Sequence, residues 1–201
     1  MLKLAAIVGP TGVGKSRIAV GVGQLLGIEV ISCDSMQIYR GLDVGTAKIT
    51  ESEMMGIPHH MIDICDPDQP FSVSDYQKMV KPLIEEINER GKIPVLVGGT
   101  GLYYQVVVDD YQLYPIKATP EVRRALNEEA ELLGNQVLHR RLEALDPEAA
   151  GRISPNDRKR IVRALEVIQV TGQPFSALQR KNPGRYRLAV AGITMPRPLL
   201  Y

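Results

Sequence analysis

Cysteine is scarce in this chain. Cys33 and Cys65 are the only two in 201 residues, too few for the disulfide framework of a small exported domain, so a reducing compartment, the cytosol, is expected. Long hydrophobic runs are lacking too. Leu4–Val8 and Val106–Val108 fall far short of the roughly 20 apolar residues needed to cross a bilayer, so no membrane association is expected. The opening Met1-Leu2-Lys3-Leu4 leads straight into a strand-like run, without the charged and apolar regions of an export signal. There is no internal repeat and no low-complexity tract. What is present is ordinary for a globular protein: 44% hydrophobic and 23% charged residues exclude wholesale disorder. At about 150 residues per domain, the length suits one domain with an elaboration and a sizeable core.

The net charge of +1 conceals an asymmetry. Residues 1–116 carry 9 Lys and Arg against 14 Asp and Glu, whereas residues 117–187 carry 14 against 9. The densest basic stretch contains Arg152, Arg158, Lys159, Arg160 and Arg163, opposed within it only by Asp157. Such polarity suits either a surface that meets a polyanion or a solvated helix face.

Periodicity organises the first half into alternating strands and helices. Leu4–Val8 reads as a buried strand running into a glycine loop. Ile18, Ala19, Val22, Leu25 and Leu26 give residues 16–26 a helix face that Gly27 ends. Val30 and Ile31 begin a second strand ending near Asp34. Met61–Ile64 reads as a strand between Pro58 and Pro67. Residues 72–90 read as a helix capped by Ser72 or Ser74, and Ile93–Val97 as the next strand. This alternation is the pattern of a parallel sheet wrapped by helices. Beyond residue 112 the texture becomes helical: Pro120–Leu133, Val137–Leu145 and Arg158–Val170, broken by Asp146-Pro147 and Gly172. Leu188–Ile193 then reads as a strand returning to the sheet. The chain stops where a covering helix would come next, so a C-terminally shortened chain is expected.

Gly9-Pro10-Thr11-Gly12-Val13-Gly14-Lys15-Ser16 matches G-x-x-x-x-G-K-[ST] at each fixed position, after a strand and opening a helix. Glycines let backbone N–H groups turn inward around phosphate oxygens, and the helix N-terminus adds positive potential. Lys15 supplies a full charge, and the Ser16 hydroxyl can ligate magnesium. The loop therefore holds a di- or triphosphate, without saying which bond breaks. The strand ending at Val97 offers no magnesium carboxylate, since Gly98-Gly99-Thr100 follows it, and no H-R-D motif is present.

Asp34 follows the second strand. Ligands of open parallel sheets gather at the carboxyl ends of the strands, so Asp34, the loop and Thr100 are expected to face one crevice. There a carboxylate can accept a proton or help hold metal; a turn or helix-cap role is the alternative. His59-His60 lack the partners of a zinc site. Cys33 suits a buried packing role better than a nucleophile's. Tyr39, Tyr103 and Tyr104 suit the core, with a base-pocket role open for one of them.

Taken together, GPTGVGKS (Gly9–Ser16), DSMQIYRG (Asp34–Gly41), GTAK (Gly45–Lys48), Pro58-His59-His60, Arg90-Gly91, GGTGLY (Gly98–Tyr103), ISPND (Ile153–Asp157), RIVRALE (Arg160–Glu166) and Thr171-Gly172 make nearly the whole chain resemble the bacterial tRNA dimethylallyltransferase family. That family continues past the point where this chain ends. The resemblance implies an α/β fold, a P-loop NTPase-like parallel sheet wrapped by helices with an all-helical insertion. It comprises a catalytic core over 1–112, a tRNA-binding helical insertion over 113–187 and a returning strand over 188–201.

It also implies a prenyl transfer in which Gly9, Pro10, Thr11, Gly12, Val13, Gly14, Lys15 and Ser16 hold the diphosphate of dimethylallyl diphosphate, rather than ATP, with Mg2+ on Ser16. The acceptor implied is N6 of adenine 37 of tRNA, in the anticodon stem-loop. Asp34 is carried over as the base, with Thr100 and Lys15 as further catalytic residues. Asp34, Ser35, Met36, Gln37, Thr100, Arg123, Lys159, Arg160, Ile161, Val162 and Arg163 are carried over as tRNA contacts. A cytoplasmic monomer is expected. Three alternatives stay open: prenylation of free adenine nucleotides, a P-loop kinase of a small metabolite, and an RNA-binding module with a vestigial loop. The basic insertion favours tRNA over a free nucleotide.

Overall fold

The computed structural model describes residues 1–113, 119–178 and 181–200, with only the backbone of Leu199. These residues form two compact units, one of Met1–Asp110 with Asn182–Tyr201 and one of Tyr111–Lys181. The boundaries fall two residues before, and six residues before, the two expected from sequence.

The first unit is built on five parallel strands in the order β3-β2-β4-β1-β5. They are β1 (Leu2–Val8), β2 (Ile28–Ser32), β3 (His59–His60), β4 (Ile93–Gly98) and β5 (Tyr186–Gly192). Val8 pairs with both Gly98 and Gly192, and Ser32 with Val97. The strands that carry the phosphate loop, Asp34 and Thr100 therefore end level at one edge. On one face Ala19 of α1 (Lys15–Leu25) packs with Ile7, Ile28, Val30, Val95 and Val97. Helix α3 (Val73–Glu89) packs on β1 and β4, burying Tyr76, Val80, Ile84 and Ile87. Ser72 caps it in a reciprocal box with Asp75, satisfying amides that the helix itself leaves unpaired.

Several expectations shift. The stretch Met61–Ile64 is an irregular bend: pairing lies at His59–His60, which meet Val30 and Ile31, and left-handed Met61 (φ 62°) and Asp63 (φ 54°) end the strand. β5 begins at Tyr186, two residues early. On α1, Leu25 and Leu26 face solvent, since the helix buries Ala19 and Val20 instead. Two short helices escaped periodicity, α2 (Glu51–Met54) and α4 (Gly101–Val108). No helix among the described residues is long and apolar enough to cross a membrane.

The second unit comprises α5 (Pro120–Leu133), α6 (Asn135–Leu145), α7 (Pro147–Arg152) and α8 (Arg158–Thr171). Its core gathers Leu126, Leu138, Leu142, Ile153, Ile161 and Leu165. The Asp146-Pro147 break is itself a helix start, because Asp146 accepts the Ala149 and Ser176 N–H groups at 3.0 and 2.7 Å. Glu166 of α8 is fully buried and accepts hydrogen bonds from Thr119 N–H (3.0 Å), Arg123 (2.9 Å) and Arg163 (2.8 Å). Burial pushes its carboxyl up, but these donors outweigh that and hold it below the usual range. A group depressed on folding contributes stability above its unfolded pKa and loses it as pH falls through the folded one. Glu166→Gln is accordingly expected to cost about 1–3 kcal/mol at pH 7. In urea titrations the gap to wild type should close as the pH falls below the ordinary glutamate range; a gap constant with pH would contradict it.

Candidate active site

The loop between β1 and α1 is shaped by close approach. A Cβ on Gly9 would lie 2.3 Å from the Ile193 carbonyl oxygen, and Gly12 (φ 84°) and Gly14 (φ 88°) are left-handed, as glycine allows. Gly14 caps α1 without a side-chain bond, and the first helical hydrogen bond runs from Ile18 N–H to Gly14 O. The preceding N–H groups are thus left for an anion. Lys15 Nζ donates to the Pro10 carbonyl at 2.8 Å. Burial lowers the Lys15 pKa, and the charge of Asp34 opposes that. Val13 is buried beneath the loop.

Asp34 is presented by the end of β2, which stays zipped to β4: Cys33 N–H donates to Val97 O (2.8 Å) and Thr100 N–H to Cys33 O (3.1 Å). Asp34 Oδ1 accepts the Met36 N–H at 2.9 Å, a short Asx turn. Asp34 thus fills the turn role, and it also lines a cavity. Thr100 does not line the cavity that Asp34 lines. Its Oγ1 accepts the Ser35 N–H at 3.0 Å and so braces the turn carrying Asp34.

A cavity of about 670 Å³ joins these parts. Thr11, Gly12, Gly14, Lys15 and Ser16 line one region, with Asp34, Gln37, Val97 and Gly98 beside them. Arg17, Val20, Gly21 and Gln24 contribute a face of α1, and a wall comes from Thr46, Ala47, Ile49, Ser52, Glu53 and Met55. Periodicity revealed neither that face nor that wall. The GTAK string was the one signal, and it carried no role. Gln37, carried over as a tRNA contact, is occupied here: its Oε1 accepts from Ser32 Oγ (3.0 Å) and its Nε2 donates to Thr46 O (3.1 Å). Lys48 ties the same segment from behind, donating to Tyr39 O (2.7 Å), Asp43 (2.6 Å) and Asp63 (2.6 Å). Burial works against its charge, but the two carboxylates prevail and raise its pKa.

The other candidates are structural. Cys33 is buried, which pushes its thiol up to about 12, too high for a nucleophile at neutral pH. Tyr103 stacks on Tyr76 at 4.0 Å, and neither Tyr39 nor Tyr104 lines the cavity. His60 Nε2 meets Glu29 at 2.7 Å, and Arg90 grips the same carboxylate through Nε and Nη2. This brace joins β3, β2 and the end of α3. No group of three His, Cys, Asp or Glu residues suited to a metal occurs among the described residues.

In the helical unit, Ile161 (0% exposed) and Val162 (3%) sit in the core, so their side chains are unavailable to RNA. On a helix, neighbours in sequence face different directions. Arg123 and Arg163 both grip Glu166. The basic stretch is also less free than its sequence suggests, since packing of α5 on α8 brings Glu131 to Arg158, and Glu148, one turn back on α7, pairs with Arg152. Arg160 pairs with Asp157 yet keeps 76% of its side chain exposed, and Lys159 is exposed.

Comparison with known proteins adds a family. A family model described as IPP transferase matches residues 37–201. The tRNA dimethylallyltransferase of Moorella thermoacetica is 55% identical over 98% of this chain and 64% of its own length. That of Syntrophomonas wolfei is 52% identical over 100% and 65%. The chain thus spans a little under two thirds of these relatives. A full-length tRNA isopentenylpyrophosphate transferase structure from Bacillus halodurans superposes with a TM-score of 0.65 at 48% identity, over 100% of this chain and 62% of that one. A eukaryotic dimethylallyltransferase caught acting on tRNA superposes with 0.73 at 30% identity, over 99% and 50%.

Proposed function

We propose, for a chain that belongs to the IPP transferase family, transfer of a dimethylallyl group from dimethylallyl diphosphate to N6 of adenine 37 of tRNA, releasing diphosphate. The observation that carries this reading is the opening of Lys15, Ser16 and Asp34 onto one cavity. The adenine N6 lone pair is delocalised into the ring, so the amine is a poor nucleophile. It turns acidic as its bond to carbon forms, and Asp34 is the carboxylate available to take the proton. The allylic carbon spreads positive charge as the C–O bond breaks. The departing diphosphate gains negative charge, which the free N–H groups of α1 and Lys15 stabilise. Thr100 acts through Ser35 by holding the Asp34 turn, a positioning role.

The residues present suit magnesium. The ion needs few protein ligands when phosphate oxygens and water complete its shell, and Ser16, whose hydroxyl can ligate it, lines the cavity. Bound there with the donor, it would neutralise charge on the leaving group. The two free cysteines, both buried, support a reducing cytoplasm as its place of action, and a monomer is the simplest state.

Labelled dimethylallyl diphosphate, magnesium and unmodified tRNA test the reaction. Label entering RNA supports it, and phosphorylation of a metabolite instead would overturn it. Competition by AMP separates tRNA from free nucleotide as acceptor. On the RNA side, the exposure of Arg160 favours it over Arg163 as a phosphate contact. Arg160→Ala is expected to weaken tRNA binding and reduce the salt slope by about one contact. An unchanged slope in filter-binding titrations would remove Arg160 from the RNA surface.

A further inference from the structure

Arg17 belongs to no motif, yet it lines the same cavity as Lys15 and Ser16. Lys15 and Arg17 are the only cationic side chains on that wall among the described residues, and Asp34 and Glu53 the only anionic ones. Glu53 is turned to its own helix start, where it accepts from Thr50 N–H and Oγ1 at 2.9 and 2.8 Å. Asp34 offsets the single charge of Lys15. A diphosphate carrying two or three negative charges would therefore meet a site with no side-chain excess of positive charge if Lys15 acted alone.

The other arginines of the first hundred residues are already committed, Arg40 to Asp66 and Arg90 to Glu29. Arg17 is exposed, and no ion pair holds it among the described residues. Its position matters as well. It lies in the first turn of α1, and long helical side chains lean toward the N-terminus of their helix. Here that is the turn whose N–H groups stand free.

We propose that Arg17 is a second side-chain cation of the diphosphate site, bridging phosphate oxygens opposite Lys15. This rests on the anion-binding reading above and adds a ligand that the loop motif does not contain. A guanidinium presents two parallel N–H donors to phosphate oxygens, where an ammonium acts as a point charge. Arg17 would thus orient the leaving group as well as attract it.

Calorimetric titration of inorganic diphosphate into the wild-type chain with magnesium, and into Arg17→Gln and Arg17→Lys, tests this without the transfer reaction. Arg17→Gln is expected to raise Kd about tenfold or more, the effect of one lost charge-assisted hydrogen bond. Arg17→Lys should recover part of that loss. In the transfer assay Arg17→Gln should raise the KM for the prenyl donor and leave the KM for tRNA unchanged. Equal diphosphate affinity in wild type and Arg17→Gln overturns the role of Arg17 and leaves the loop's function standing. No diphosphate binding by the wild type overturns both.

Discussion

Asp34→Asn is expected to lower kcat by about 10³-fold, within the range for loss of a positioned base, while diphosphate still binds. The substitution is conservative where structure is concerned. The Oδ1 that accepts the Met36 N–H is retained, so the turn and its Thr100 brace survive. What is lost is the anionic oxygen able to accept a proton from N6. Removing a negative charge from the cavity proposed to admit diphosphate should leave diphosphate affinity equal or improved. Steady-state kinetics with direct diphosphate binding separate the two effects. Wild-type kcat in Asp34→Asn would sink the base assignment, and loss of diphosphate binding would mean that Asp34 shapes the cradle instead.

Gly98→Ala should have the largest effect on architecture. A Cβ there would lie 2.1 Å from the Cys33 carbonyl oxygen and 2.3 Å from its carbon, backbone atoms held by Cys33 N–H to Val97 O and Thr100 N–H to Cys33 O. No side chain can rotate away. The ends of β2 and β4 must part, at a cost of about 3 kcal/mol, and Asp34 moves with them relative to the loop. Loss of stability in thermal melts should therefore come with loss of turnover. Gly101→Ala is the control: nothing lies within 4 Å of its added methyl, and alanine is the better residue at the start of α4. If Gly98→Ala melted like Gly101→Ala, the close approach would not be rigid.

The motifs that carry chemistry were legible in the sequence because each is a local device. A loop of glycines between a strand and a helix works through its own backbone, so GPTGVGKS predicts an anion site from eight consecutive residues. Strand and helix periods placed β1, α1, β2, α3, β4, α5 and α8 to within a few residues, because each buries one face or both. Met61–Ile64 deceived for the complementary reason. Its residues look like a strand, but the backbone needs left-handed conformations to bring Cys65 beside Tyr39, and apolar patterning carries no record of that.

By itself, then, the amino-acid sequence determined the α/β core, the helical elaboration and the phosphate loop, since backbone geometry and periodic burial operate over short distances along the chain. Only the tertiary structure decided which side chains are free to act. Ile161 and Val162 turned inward, Arg123 and Arg163 were claimed by buried Glu166, Gln37 was taken by its neighbours, and Arg17 was left open beside Lys15. Availability depends on folded contacts, whether the partner is near in sequence, as Glu166 is to Arg163, or distant, as it is to Arg123, and a linear pattern does not encode which carboxylate reaches which guanidinium.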